Sequence, residues 1–234
     1  MMRAIVDFHS HILPGIDDGS ASPEESLTML RMEGEQGIRH VVATPHFDPR
    51  SDSPEAFLKR RARAEARLRQ EMAGREALPK VSLGAEVYYV PGMSHWEALE
   101  NLTVTGSRMI LVELPPAPWE EAVFRELEKI SGRGFIPVIA HIDRYLGPFG
   151  NRSLLKRLEA LPVLIQANGS FFLKPATAGV AMRMLKKQQI HLLGSDCHNL
   201  TTRPPNLGPA LDKIRKRLGE EALENIWKHQ PRLP

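Results

Sequence analysis

The sequence predicts an α/β chain in which a parallel sheet closes into a barrel, as one domain over residues 1–234. Three observations carry this. Strand-like and helix-like segments alternate about seven times. The strands read as short continuous apolar runs, the pattern of a parallel sheet buried on both faces. Six of the seven inferred strands end in an imidazole or a carboxylate, and βα barrels gather functional side chains at that end.

The first strand, Ala4-Ile5-Val6, runs into Asp7-Phe8-His9-Ser10-His11. Alternation along a strand points His9 and His11 to one side. The Asp/Gly-rich turn that follows can carry Asp17 or Asp18 back over the same spot. Ser22, Pro23 and Glu25 signal a helix start with a capping box, Leu27, Leu30 and Met32 give that helix an apolar side, and Gly37 is its stop. The second strand, His40 to Thr44, ends at Pro45-His46.

Residues 54–74 form a basic helix with Phe57, Ala64 and Leu68 toward the body. Its arginines read as a solvated face, with a docking surface for an acidic or phosphorylated partner as the sharper alternative. The third strand, Val81 to Ala85, delivers Glu86, and a short helix is expected around 94–101. The fourth strand, Met109 to Val112, delivers Glu113, and a helix over 118–131 follows. The fifth, Phe135 to Ala140, delivers His141 before a helix at 151–160. The sixth, Val163-Leu164-Ile165, ends in Gln166-Ala167-Asn168-Gly169, ahead of a helix at 175–188. The seventh, Ile190 to Leu193, delivers Asp196 and His198. Helices near 207–218 and 219–228 close the chain.

The 234 residues are 42% apolar and 25% charged, ordinary for a globular protein. A net charge of +3 does not imply a nucleic-acid partner. The single cysteine, Cys197, rules out an intramolecular disulfide. No signal peptide is read at the N-terminus and no apolar run is long enough to span a bilayer, so the expected location is cytoplasmic.

His9, His11, Asp18, His46, Glu86, Glu113, His141, Asp196 and His198 therefore converge on one rim. Carboxylates crowded together repel unless cations neutralise them, so the pattern points to metal. Nitrogen and oxygen donors without thiolates suit Mn, Fe, Zn or Mg. Nine candidates exceed the needs of one ion and are ample for two or three, an arrangement suited to phosphoryl chemistry.

The strings Asp7-Phe8-His9-Ser10-His11, Thr44-Pro45-His46, Gly84-Ala85-Glu86, Ala140-His141 and Gly194-Ser195-Asp196-Cys197-His198-Asn199 resemble the PHP (polymerase and histidinol phosphatase) superfamily. Three longer stretches are closer to one branch: His11 to Gly19, His141-Ile142-Asp143-Arg144-Tyr145, and Asn199 to Pro205. They look like the bacterial CpsB/CapC/YwqE-type tyrosine-protein phosphatases. The resemblance runs in order from Asp7 to Pro205. It implies a distorted (β/α)7 barrel holding three manganese ions on the nine residues above, with Glu86 bridging. It also implies hydrolysis of phosphotyrosine on a bacterial tyrosine autokinase controlling capsule or exopolysaccharide synthesis. A metal-bridged hydroxide is expected to attack phosphorus, with Arg144 and Arg203 holding the phosphate.

Rival readings are an amidohydrolase, a histidinol-phosphate phosphatase of the same superfamily, and a metal-stabilised interaction protein using the basic helix. Gln166 and Asn168 at the sixth strand end argue against the first. Cys197 and Arg203 show the Cys-x5-Arg spacing of thiol-based phosphatases. Alternation nevertheless turns Cys197 away from Asp196 and His198, and the loop between them lacks glycine.

Overall fold

The computed structural model describes residues 5–75, 77–146 and 150–233. Ala4, where the first strand was expected to begin, lies outside them. The strands are β1 (Val6–Ser10), β2 (His40–Ala43), β3 (His46–Phe47), β4 (Lys80–Leu83), β5 (Glu86–Tyr88), β6 (Met109–Glu113), β7 (Ile136–Ile139), β8 (Leu164–Asn168) and β9 (Leu192–Gly194). The helices between and after them are α1 (Pro23–Glu35), α2 (Pro54–Met72), α3 (Leu99–Leu102), α4 (Glu121–Gly132), α5 (Arg152–Glu159), α6 (Gly169–Leu173), α7 (Pro175–Lys186), α8 (Leu207–Leu218) and α9 (Glu224–His229).

All strand pairs are parallel. They form two sheets, in the orders β1-β2-β4 and β3-β5-β6-β7-β8-β9. The second and third expected strands are each split, at Thr44-Pro45 and at Gly84-Ala85. Their first halves pair toward β1 and their second halves toward β6, which curls one sheet into the other. The far edge also meets the near one: Asp196 N donates to His9 O at 2.8 Å and His11 N to Cys197 O at 2.9 Å. Gly194 permits this approach, since a Cβ there would lie 2.5 Å from His9 Cβ. The architecture is an α/β fold around a curled parallel sheet.

Both faces of the sheet are dry, as the apolar runs predict. Phe8, Val42, Leu111, Val138, Ala140 and Leu192 pack together inside the curl. Val41, Ala43, Ile110, Val112, Ile139 and Leu193 pack outward with the helices. The site thus sits on a plug of buried side chains.

Several boundaries differ from expectation. Residues 94–101 hold a 3-10 turn at Met93–His95 and the single turn α3. Helix α4 begins at Glu121, after the Pro115-Pro116 stretch. Gly219 ends α8, its φ of +84° being easy only for glycine, and the last expected helix begins as a 3-10 turn at Glu220–Leu223 before α9. Helix α6 went unread because a five-residue turn has no periodicity. At the start of α1 the Ser22 hydroxyl accepts from Glu25 N, but the Glu25 carboxylate reaches back to Ala21 N, one residue beyond the expected box. The face of α1 turned inward is Ser26, Leu27, Met29, Leu30 and Glu33, with Met32 only half-buried.

Helix α2 buries Phe57, Ala64 and Leu68 as its spacing predicts. Two of its arginines work structurally. Arg61 donates to Gly84 O and Asn101 O, and Arg69 to Val81 O, so they hold the β4–β5 segment.

Candidate metal centre

His9 and His11 leave the end of β1, where a bulge between Asp7 and Ser10 shifts the register. Bulges re-aim side chains, and here Asp7 goes outward toward Glu33 while both histidines share the site. Each has its Nδ1 occupied. His9 Nδ1 lies 3.4 Å from Gln166 Oε1, and His11 Nδ1 donates to Asp17 Oδ2 at 2.8 Å. In the neutral rings a proton held at Nδ1 leaves the lone pair of each imidazole on Nε2. Those two Nε2 atoms face one another at 3.1 Å.

The carboxylates gather around this pair. Glu86 Oε2 lies 3.2 Å from His9 Nε2, 3.3 Å from His11 Nε2 and 2.9 Å from His46 Nδ1. Buried among these nitrogens, it has no properly angled hydrogen bond. Glu86 Oε1 is 2.7 Å from His141 Nε2, and Glu113 Oε1 is 3.5 Å from the same nitrogen. Asp196 Oδ1 stands 3.7 Å from His9 Nε2 and 3.6 Å from His11 Nε2. Asp18 Oδ1 closes the far side, 3.3 Å from His46 Nε2 and 3.5 Å from His198 Nε2. All nine sequence-predicted candidates therefore meet in one cluster.

Between the two neighbouring aspartates the geometry separates roles. Asp17 accepts from His11, from His46 N and from Gly19 N, so it faces away from the cluster and holds the turn. Asp18 faces in.

Two of the nine reach the cluster through left-handed backbone. Val138 and Ala140 both lie on the inner face, so plain alternation would turn His141 outward. A φ of +31° at His141 brings it back, and Asp196 is likewise left-handed at +52°. Non-glycine residues held there are uncommon and cluster at functional sites.

The charges are strongly biased. Burial disfavours a cation at His11, but the adjacent Asp17 and Glu86 carboxylates outweigh that and lift its pKa to about 10. Burial and the His11 cation push His198 down to about 4. Burial works against the Glu86 anion, yet the surrounding imidazoles hold its carboxyl well below the ordinary range. Three overlapping groups have ligand atoms within 4.8 Å of one another: His11, Asp18, His46 and His198; His9, His11 and Asp196; His46, Glu86 and Glu113. Two imidazole nitrogens facing each other, an unsatisfied buried carboxylate oxygen, and buried His198 Nε2 without a hydrogen bond all fit bound divalent cations.

Arg144 and Arg203 stand at the mouth. Arg144 follows His141 on a 3-10 turn and donates to Glu113 Oε1 and Asp196 Oδ2, each at 3.0 Å. Arg203 donates to Asp196 Oδ1 at 2.7 Å. Its loop is folded around Asn199, whose Oδ1 accepts from Thr201 N, Thr202 N and Arg203 N.

Cys197 is fully buried behind the cluster, its sulfur grouped with Asp7 and Glu33, and burial pushes its thiol well up. That is the opposite of what a thiolate nucleophile needs.

Sequence reasoning missed the supports. Gln166 accepts from His141 N at 2.5 Å and donates to Asn168, which donates to Asp196 Oδ2 at 2.9 Å. The sixth strand end, read only as lacking ligands, thus links β7 to the loop after β9. Asp7 accepts from Ser195 N and Ser195 Oγ, fixing the turn that carries Asp196. The one available signal for Asp17 was the Asp17-Asp18 doublet itself.

A curled parallel sheet with histidines and carboxylates massed at its C-terminal strand ends defines a metallohydrolase-like α/β protein. Residues 5–233 match the family described as capsular polysaccharide synthesis, CpsB/CapC, and the chain belongs to that family. It is 31% identical to the tyrosine-protein phosphatase CpsB of Streptococcus pneumoniae, over 97% of each chain. It is 30% identical to the tyrosine-protein phosphatase YwqE of Bacillus subtilis (strain 168), over 93% of this chain and 86% of the relative. Among solved structures it superposes with a TM-score of 0.80 and 25% identity on a chain from the crystal structures of YwqE from Bacillus subtilis and CpsB from Streptococcus pneumoniae, described as unique metal-dependent tyrosine phosphatases. That match covers 97% of this chain and 96% of the other.

Proposed function

We propose that the chain is a metal-dependent protein-tyrosine phosphatase. In this reading it is one domain, a distorted (β/α)7 barrel of the PHP type, acting in the cytoplasm on a tyrosine autokinase of a capsule or exopolysaccharide system. His9, His11, Asp18, His46, Glu86, Glu113, His141, Asp196 and His198 would hold the metal, with manganese and three ions as the preferred assignment. The observation that carries the reading is the opposed His9 and His11 nitrogens, 3.1 Å apart inside a shell of carboxylates, with two guanidiniums at its mouth. The family membership supports the substrate class.

Bound there, divalent ions would supply Lewis acidity toward phosphoryl oxygens and activate water. The protein's own part is orientation. Asp17 and Gln166 keep protons on the outer nitrogens of His11 and His9, so the inner nitrogens stay donors to metal. Arg144 and Arg203 offer planar forks to the phosphate oxygens and counter the charge that builds there. Asn168 holds Asp196 in place while the arginines turn to the phosphate. The leaving phenolate has a pKa of about 10, low enough that a strong general acid is dispensable.

The test is phosphate release by metal-loaded protein from a phosphotyrosine peptide and from histidinol phosphate. Preferred turnover of the peptide supports the proposal. Preferred turnover of histidinol phosphate would move the chain to the small-molecule branch, and release from neither would end the phosphatase reading.

A further inference from the structure

Above the cluster, on the side of β3 and β5, stands a flat guanidinium stacked on a tyrosine ring. Tyr88 closes β5 two residues past Glu86 and so points to the same side of the strand. Its Cα is in register with that of Glu113, one of the nine cluster residues. Arg50, in the loop after β3, lays its guanidinium over the Tyr88 ring with Cζ 4.0 Å from the centroid. Asp48 then locks the guanidinium in plane. It accepts from Arg50 Nε at 2.8 Å, from Arg50 Nη2 at 2.7 Å and from Arg50 N at 3.0 Å.

This arrangement differs from that of the arginines at the mouth. Arg144 and Arg203 aim their forks into the cluster. Arg50 has spent its fork on Asp48, so its charge is matched and what it offers is a face. One face rests on Tyr88. The side chain is 57% exposed, which leaves the guanidinium open to a second ring. Guanidinium planes stack on aromatic faces.

We propose that the Tyr88–Arg50–Asp48 stack is the subsite for the aromatic ring of the substrate. This deepens the phosphatase reading and rests on it. The distance is suitable: two residues along a strand is about 6.6 Å, comparable with the length of a phenyl ring and its ester oxygen. A phosphoryl group at the Glu86 layer then carries its ring to the Arg50 layer. An alkyl phosphate places nothing flat there, so the stack discriminates by the leaving group and not by phosphate charge.

The test measures inhibition by benzylphosphonate and by inorganic phosphate, together with KM for a phosphotyrosine peptide, in Arg50→Lys, Tyr88→Ala and Tyr88→Phe. Arg50→Lys keeps the charge and removes the plane. It and Tyr88→Ala are expected to raise the benzylphosphonate Ki and the peptide KM roughly fivefold, leaving the phosphate Ki within about twofold, and Tyr88→Phe restores the benzylphosphonate affinity. Arg50→Lys binding benzylphosphonate like the parent would overturn the subsite, because charge alone would then suffice. Equal weakening of both inhibitors would overturn it too, by showing general damage to the site. These ratios are read separately from whether the parent protein releases phosphate from phosphotyrosine, which tests the phosphatase reading itself.

Discussion

Asp17 holds His11 by the nitrogen that faces away from the cluster, at 2.8 Å, and its other hydrogen bonds go to the backbone of His46 and Gly19. One carboxylate therefore sets the tautomer of one candidate ligand and the placement of another. Asp17→Ala is expected to weaken metal binding about 10- to 100-fold, read by titrating stripped protein with Mn²⁺. Unchanged affinity in a folded variant would remove this role.

Arg144 and Arg203 reach Asp196 from opposite sides of its carboxylate. Replacing either by Ala is expected to lower kcat/KM by more than about tenfold, since one lost contact to developing phosphoryl charge typically costs a few kcal/mol. Metal content is expected to stay intact. Kinetics like the parent's in Arg144→Ala would place that residue outside the reaction.

The buried thiol yields a third expectation. Cys197→Ser is expected to keep most activity, and iodoacetamide is expected not to inhibit, because Cys197 has no exposed surface and sits behind Asp196. A Cys197→Ser protein that folds, keeps its metals and is inactive would favour a thiol mechanism.

A pH-dependent stability term lies away from the site. His191 Nδ1 accepts from Ile165 N, and its ring meets His229 edge-on at 4.9 Å. Burial, then the neighbouring His229, depresses its pKa to about 4 from an ordinary 6.5. Between those values the unfolded chain binds the proton and the folded one does not. Stability is therefore full above about 6.5 and falls as pH drops toward about 4. His191→Gln is expected to flatten that window by on the order of 2 kcal/mol, allowing for partial solvation of the ring. Chemical denaturation at pH 7 and at pH 4.5 checks it; the same drop in both proteins would refute it.

The candidate ligands were legible because parallel strands in a curled sheet all end on one rim, so a residue type recurring at strand ends is already a cluster. Glu113, the last residue of β6, needed nothing more, whereas His46 and Glu86 open β3 and β5 just past the splits. The means by which His9 and His141 arrive was not legible: a bulge in β1 and a left-handed φ at His141 both override alternation. The relay from Gln166 through Asn168 to Asp196 joins residues far apart in sequence, and amides carry no periodic signal. Glu33 shows the limit of patterning on a helix. Its spacing from Met29 and Leu30 puts this acid on the inward face, but nothing in the pattern tells that it is fully buried beside Asp7. The splits at Thr44-Pro45 and Gly84-Ala85 carried a signal in Pro45 and Gly84, but the change of sheet partner is a tertiary event.

This rim is expected to work only with metal. The direct measurement is phosphate release from a phosphotyrosine peptide by chelator-stripped protein, with Mn²⁺, Fe²⁺, Zn²⁺ and Mg²⁺ added back singly and bound metal counted. The expected result is no release when stripped, best recovery with Mn²⁺, and about two to three ions per chain. Full activity in thoroughly metal-free protein would contradict it.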